Sequence, residues 1–216
     1  MFYDVTKRTI DIIGSIVILI VLSPFILITT VVIKLTSPGP VIYTPLRVGE
    51  GGTLFKMYKF RSMNMYELRG KVVHAQKYLE SKPKLMRQYQ KGSYKLTNDP
   101  RVTPIGRFLR KYSIDELPQL LNVLKGDMSL VGPRAYQKDE LEHQQKVYPK
   151  TSKYVKIIFK GKPGTTGPWQ VSGRSSINFD KRVVMDAQYI KRHSILYDIL
   201  IIFKTPIAMI SGKGAV

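Results

Sequence analysis

The chain has 216 residues, a length that suits one domain, and 44% of them are hydrophobic, enough for a real core. It carries 35 Lys and Arg against 15 Asp and Glu, a formal net charge of +20, which implies an anionic partner: nucleic acid, an anionic bilayer or a phosphorylated substrate. It contains no cysteine, which excludes disulfides and thiolate metal sites.

The N-terminus separates those partners. From Ile12 to Ile33 the sequence is almost wholly apolar, a run of roughly 20 residues and so of membrane length. It is too long for the apolar part of a signal peptide, and no small-residue cleavage motif follows promptly. A helix buried in a soluble core is the plainer alternative, disfavoured by the near absence of polar interruptions. Ser23-Pro24 lies mid-run. Proline removes a backbone donor and clashes with the preceding turn, so the helix bends or breaks there, and the Ser23 hydroxyl is suited to satisfy a freed carbonyl. Cations flank both ends, Lys7 and Arg8 before the run and Lys34, Arg47, Lys56 and Lys59 after it. The positive-inside rule then puts both ends in the cytoplasm. A helix that enters one leaflet, turns at Ser23-Pro24 and returns satisfies both features; from these residues alone an ordinary kinked transmembrane helix does equally well.

Beyond Thr36-Ser37-Pro38-Gly39-Pro40 the character changes. Val41-Ile42-Tyr43 and Thr53 to Phe60 predict short strands, with turn chemistry at Gly49-Glu50-Gly51-Gly52, and hence a β-hairpin. Aromatics and cations alternate from Lys56 to Arg61. A strand puts Lys59 and Arg61 on one face, opposite Lys56, Tyr58 and Phe60, where the two cations could reach one anionic ligand together. A solvated basic edge is the commoner origin of such a pattern. Residues 65 to 96 are polar and basic and predict solvent-facing helix and loop. His74, His143 and His193 sit in no metal-ligand spacing and read as surface or packing residues.

From Asn98 the signals become dense. Asn98-Asp99-Pro100 marks a turn. Ile105 to Lys111 predicts a short helix bearing Arg107, Arg110 and Lys111. Another begins at Ser113-Ile114-Asp115-Glu116, with Leu117, Leu120, Leu121 and Leu124 as its apolar face, Pro118 in its first turn and Gly126 as its C-terminal cap. Ser113 and Glu116 have capping-box spacing, so Asp115 and Glu116 are ordinary caps on one reading. On the other, a carboxylate at a helix start is kept ionised by the macrodipole, beside an end that attracts phosphate, and is a plausible nucleophile. It then needs cations, for which Arg107, Arg110, Arg134, Lys59 and Arg61 are candidates, or Mg²⁺. Gly161 to Arg174 holds four glycines and two prolines and predicts a shaped loop. Its Trp169 suits packing or interfacial anchoring better than stacking on a base; Lys162 and Arg174 could bind phosphate or simply face solvent. Ile195 to Ile202 and Ile207 to Ile210 are too short and too polar to span, and suit a helix packed on the core or lying among headgroups.

Taken in order, several motifs resemble those of the bacterial sugar transferase family, also called monotopic phosphoglycosyl transferases. They are Lys7-Arg8 with Asp11, Ser23-Pro24, Ser37-Pro38-Gly39-Pro40, Tyr58-Lys59-Phe60-Arg61-Ser62-Met63, Ser113 to Gln119, Gly126 to Arg134, Lys162-Pro163-Gly164 and Gln170-Val171-Ser172-Gly173-Arg174. The resemblance covers nearly the whole chain, Lys7 to Gly214. It implies an α+β, mainly helical fold with a small hairpin and amphipathic interfacial helices. Residues 1–36 would form the re-entrant helix, and 37–216 a membrane-associated catalytic domain forming one folding unit with it, at the cytoplasmic face of the bacterial inner membrane. It implies that Asp115 attacks the β-phosphorus of a UDP-sugar, that UMP leaves, and that polyprenyl (undecaprenyl) phosphate then takes the phosphosugar, with Glu116 assisting. Mg²⁺ close to Asp115 is implied. Lys59, Arg110 and Arg134 match basic positions used near the phosphates, and Arg61, Arg107, Lys162, Gln170 and Arg174 complete the candidate substrate set.

The sequence departs from many relatives at Ala135, where another proline is common, and at Thr166-Gly167-Pro168-Trp169-Gln170, where Thr-Gly-Trp-Ala-Gln is common. Larger relatives carry further N-terminal helices and a further domain, so the resemblance implies the minimal form, with room for a homodimer. The rival readings are a non-catalytic membrane scaffold for polysaccharide assembly and a basic nucleic-acid binder. The hydrophobic N-terminus argues against the second, and the chain contains no recognised nucleic-acid module.

Overall fold

The computed structural model describes residues 2–212 and Gly214, apart from Ser93, Lys95 and Thr97, and gives the backbone alone for Phe2 and Ser175. The apolar run forms two helices, α1 (Phe2–Val21) and α2 (Ser23–Thr36), bent by 64° at the break. Pro24 falls in the first turn of α2, where a missing N–H costs little, and Ser23 Oγ donates to the Ile20 carbonyl at 2.8 Å, the role expected of it. No single helix among the described residues is long and apolar enough to cross a membrane. Ile13, Ile16, Val17, Ile20, Leu27 and Ile28 are nevertheless exposed along the pair.

The predicted hairpin forms in two parts. Strands β1 (Ile42–Tyr43), β2 (Leu46–Val48), β3 (Leu54–Lys56) and β4 (Lys59–Phe60) pair antiparallel as β2 with β3 and β1 with β4, with Tyr43 opposite Lys59. The expectation for residues 65 to 96 is corrected: they begin with a second hairpin, β5 (Met65–Leu68) against β6 (Lys71–His74), before helices α3 (Ala75–Glu80) and α4 (Pro83–Lys91). Its turn is Arg69-Gly70, both left-handed at φ 50° and 73°. That is the geometry of a two-residue hairpin turn, which the sequence conceals by placing Arg rather than Asn or Asp first.

Helix α5 (Pro104–Lys111) is capped by Thr103 Oγ1, which accepts the Gly106 amide at 2.9 Å. Gly106 allows α5 to lie against Ser62, since a Cβ there would come 2.0 Å from the Ser62 carbonyl oxygen. A 3₁₀ turn over Ile114–Glu116 leads into α6 (Gln119–Lys125), which ends on left-handed Gly126 as expected. The predicted apolar face is partly corrected. Leu120 and Val123 are buried but Leu121 is exposed, because the 3₁₀ turn resets the phase of the helix that follows.

Strand β7 (Ser129–Val131) is followed by α7 (Lys138–Val147) and α8 (Ser152–Ile158), and pairs in parallel with β8 (Gly164–Thr166). Helices α9 (Pro168–Ser172), α10 (Phe179–Arg192) and α11 (Ile195–Ser211) complete the mainly helical α+β fold. The largest core joins Ile10, Ile18 and Leu19 of α1 to Leu120, Val123, Met128, Val131, Tyr189 and Ile201. Polar residues of α1 lock it there. Asp11 accepts from Ser129 Oγ and the Leu130 amide, Lys7 pairs with Asp198 at 2.8 Å, and Arg8 donates to the last carbonyls of α6 at 2.6 and 2.8 Å, where a cation complements the helix dipole. The far end of α2 returns to the same body, with Ile33 packed among Phe60, Leu109 and Ile114. Helix α11 buries Asp198 and Ile201 and leaves Leu196, Phe203, Ile207 and Ile210 exposed, so it packs on the core along one side only.

Candidate active site

Asp115 lies on the 3₁₀ turn, 7% exposed, at the wall of a cavity of about 390 Å³. Lys59 reaches it from β4: its Nζ lies 2.7 Å from Glu116 Oε1 and 3.7 Å from Asp115 Oδ2. Asn122, fully buried, fixes the strand that carries Lys59. Its Oδ1 accepts the Tyr58 amide and its Nδ2 donates to the Lys56 carbonyl, both at 2.8 Å, bridging the gap between β3 and β4. Arg47, Arg110, Arg134 and Arg174 line the same cavity. Arg110 at Nη1 and Arg134 at Nε keep buried N–H groups without a protein acceptor, and such groups need an explanation; an anionic ligand is one.

Arg134 is held from behind. Its amide donates to Asp186 Oδ2 at 3.0 Å, and its guanidinium lies 5.0 Å from the Trp169 ring, whose centre is also 5.3 Å from the Arg182 guanidinium. Trp169, 7% exposed, therefore packs the domain; the anchoring alternative is set aside. The glycine-rich loop brings this wall in at backbone contact. A Cβ on Gly164 would lie 2.1 Å from the Gly132 amide nitrogen, and one on Gly167 2.2 Å from the Gly132 carbonyl oxygen. The Gly132 amide donates to the Thr166 carbonyl, and Gln170 Nε2 to the Thr165 carbonyl, each at 2.9 Å.

The two carboxylates differ in their electrostatics. Burial raises the Asp115 carboxyl above its ordinary value, Lys59 opposes this, and neighbouring Glu116 adds to it. For Glu116 burial pushes upward as well, but the Lys59 ion pair and hydrogen bond, helped by Arg134 and Arg174, hold it below its ordinary value. Across the cavity His74 stacks on Tyr43, ring centres 3.7 Å apart. Burial, with Arg101 and Arg61, drops its pKa to about 4, so it is neutral at pH 7, and its Nδ1 accepts the Gln76 amide at 3.2 Å.

The structure brings together Lys59, Arg110, Asp115, Glu116, Arg134, Gln170 and Arg174 of the predicted set, and leaves three out. Arg61 is buried, donating to the Ser37 and Pro38 carbonyls and the Ser37 hydroxyl, so it clamps the Ser37-Pro38 loop rather than sharing a ligand with Lys59. Arg107 is exposed on α5, and Lys162 lies against Gly126, outside the cavity wall. The capping box is absent too. Ser113 is left-handed at φ 55° and caps no amide; its hydroxyl accepts from Arg174. Arg47, Glu140, Tyr89 and His74 line the cavity without having been singled out as ligand-binding. The sequence marks Arg47 only as one of the cations flanking the apolar run; the others belong to packing that brings distant segments together.

Among the described residues no group of three or more His, Cys, Asp or Glu side chains could hold a metal by itself. The oxygen donors at the site are the carboxylates of Asp115 and Glu116. That set suits Mg²⁺ held by one or two carboxylates with substrate phosphates and water completing its shell.

The chain as a whole falls within a known class. The family model of the bacterial sugar transferases matches residues 2–212, and the chain belongs to that family. Relatives include an undecaprenyl-phosphate galactose phosphotransferase of Salmonella typhimurium, 45% identical over 97% of this chain, and the exopolysaccharide production protein ExoY of Sinorhizobium fredii, 38% identical over 98%. A UDP-glucose:undecaprenyl-phosphate glucose-1-phosphate transferase of Escherichia coli is 37% identical over 97%. The chain spans 41% of the Salmonella and Escherichia relatives and 88% of the Sinorhizobium one.

Proposed function

We propose that this chain transfers a sugar-1-phosphate from a UDP-sugar to undecaprenyl phosphate at the cytoplasmic membrane face, in exopolysaccharide or related glycoconjugate synthesis. The relatives' names supply the donor and acceptor classes. The observation that carries the chemistry is a buried carboxylate, Asp115, beside Lys59 and ringed by arginines at one cavity. In the first half-reaction an Asp115 oxygen forms a bond to the β-phosphorus. The bond from that phosphorus to the bridging oxygen breaks, and UMP leaves with the electron pair. In the second, a phosphate oxygen of the lipid attacks the same phosphorus and Asp115 is released as carboxylate. Two bulky anions thereby use one site in turn, and ping-pong kinetics follow.

Lys59 holds Asp115 ionised against burial. Arg110, Arg134 and Arg47 neutralise phosphate charge, and Glu116, kept ionised, assists the incoming lipid phosphate by taking its proton or by positioning it. Mg²⁺ bound by Asp115 and the donor would supply further neutralisation of the phosphates.

The helix pair supports a re-entrant anchor. A kinked span would put its ends on opposite sides of the bilayer, yet Lys7 and Arg8 at one end and Ile33 at the other contact the same folded body. The apolar leg of α1 from Ile12 to Val21 is roughly 15 Å long and α2 roughly 21 Å, each short of the bilayer core.

The test is nucleotide release from detergent-purified protein with Mg²⁺, undecaprenyl phosphate and a panel of UDP-sugars. UMP from one or a few donors, abolished in Asp115→Asn, is expected. Release of UDP instead would mean ordinary glycosyl transfer and overturn the mechanism. UMP release undiminished in Asp115→Asn would remove Asp115 from it.

A further inference from the structure

Of the non-glycine residues that line the cavity with a left-handed backbone, two have side chains that meet. Ser113 has φ 55° and Arg174 φ 51°. L side chains strain this conformation, and such strain persists only where the surroundings enforce it. The residues are 61 positions apart, yet Arg174 Nη2 donates to Ser113 Oγ, and Nη1 donates to the Lys111 carbonyl at 3.3 Å. Gly173, at φ 154°, folds the loop that carries Arg174 inward. Ser113 is the hinge between the end of α5 and the turn bearing Asp115. Glycine would take up this backbone without strain but would have no hydroxyl. The hydroxyl is the group Arg174 holds.

We infer that Arg174 is a positioning residue: by gripping Ser113 Oγ and the Lys111 carbonyl it sets the turn that presents Asp115. Helix α9, which bears Trp169 and Gln170, walls of the same cavity, and ends just before Arg174, is thereby tied to the orientation of the carboxylate. This rests on the phosphosugar-transfer reading and refines it. The competing role for Arg174 is direct contact with a donor phosphate, since among the described residues two of its N–H groups are engaged by the protein and the remainder are not.

The test pairs steady-state UMP release with thermal unfolding for Arg174→Ala, Ser113→Gly, Ser113→Asn and the double variant Arg174→Ala/Ser113→Gly. Ser113→Gly is expected to unfold at the wild-type temperature or above, its strain relieved, yet to turn over about 10- to 100-fold more slowly, the scale of a reacting group displaced by an ångström or less. Donor KM should move by less than about threefold, because binding contacts are untouched. Arg174→Ala should show the same kcat loss, and the double variant should be no slower than either single one. Ser113→Asn keeps an acceptor oxygen and tolerates the left-handed backbone, so it should recover most of the rate. Full turnover in Ser113→Gly overturns the inference. So does a raised KM with intact kcat in Arg174→Ala, which would assign the guanidinium to the donor phosphate, and so do additive losses in the double variant. A wild-type protein silent toward every donor fails the transfer reading and this inference with it, whereas an active wild type with a full-rate Ser113→Gly fails this inference alone.

Discussion

Lys59→Met removes the cation shared by Asp115 and Glu116 while keeping most of the aliphatic stem. At 3.7 Å, and at the effective dielectric of about 20 that suits such sites, the Lys59–Asp115 attraction is about 4.5 kcal/mol. Desolvation of both charges offsets part of it, leaving about 2–3 kcal/mol. The Lys59 side chain is 19% exposed and that of Asp115 10%, so solvent screening takes only a modest further share. Without Lys59 two carboxylates adjoin with their closest cation gone, and Asp115, already raised by burial, rises further. The nucleophile must be ionised, so activity rises with pH through the Asp115 pKa, and the variant's acid limb moves to higher pH. At neutral pH we expect kcat/KM for UMP release to fall roughly 30- to 150-fold, and part of the loss to be recovered as pH is raised. The assay is the full pH–rate profile of wild type and variant with one donor. A variant whose KM rises while its acid limb stays in place would refute the reasoning, because Lys59 would then serve the donor phosphates and not the charge on Asp115.

The buried Asp186 gives a stability prediction. Burial raises its pKa from 3.8 to about 7, with Arg134, Arg182 and Tyr136 opposing. Its folded pKa lies above the unfolded one, so the stability it contributes is fully present below about pH 4 and is lost as pH rises toward 7, a swing of about 4 kcal/mol. Asp186→Asn, whose amide oxygen can still accept from the Arg134 amide, should flatten the unfolding temperature across that window; an unchanged slope would contradict the assignment. Gly164→Ala would set a methyl group 2.1 Å from the Gly132 amide nitrogen and 2.3 Å from the Thr166 carbonyl oxygen. Both contacts are backbone, so we expect a loss of more than about 3 kcal/mol, read as a collapse in folded yield; near-normal unfolding would mean β7 and β8 do not pass this closely. The chain is free of cysteine, so Thr36→Cys supplies one reporter for topology. A membrane-impermeant maleimide should reach it only from the cytoplasmic side, and adding Pro24→Ala, which lets the helix run straight, should expose a fraction to the outside. Outside labelling with Pro24 in place would contradict the re-entrant reading.

What the sequence disclosed, and what it did not, follows the range of the interactions concerned. The helix break at Ser23-Pro24, the Gly126 cap and the Gly49–Gly52 turn rest on one or two neighbouring residues, and each is present in the structure. The hairpin of residues 65 to 74 escaped because its strands are half-exposed and its turn begins with Arg69, so neither alternation nor turn composition marked it. Cations posed a different difficulty. Arg61, Arg101 and Arg182 are all buried with 1–2% exposure, where Arg61 clamps a loop, Arg101 pairs with Asp99 and Arg182 backs Trp169. Charge alone therefore did not tell a cavity arginine from a scaffold arginine. Membership in the site depended on which element brought each residue to Asp115.

Ser113 shows why the local reading failed at the place that matters most. Ser113 and Glu116 have the spacing of a capping box, and in isolation that motif satisfies two amides within one turn. In the folded chain the Ser113 hydroxyl accepts from Arg174, the Glu116 carboxylate accepts from Lys59, and the Glu116 amide donates to the Ser113 carbonyl at 3.1 Å, so the reciprocal cap does not form. Both competitors come from far along the chain, and both are charged donors, whose hydrogen bonds are roughly twice as strong as those of neutral amides. The turn that carries Asp115 thus has long-range cations as partners where a short-range cap would have stood. Glu116 meets Lys59 and Ser113 takes a left-handed backbone on either side of the buried carboxylate on which the proposed chemistry depends.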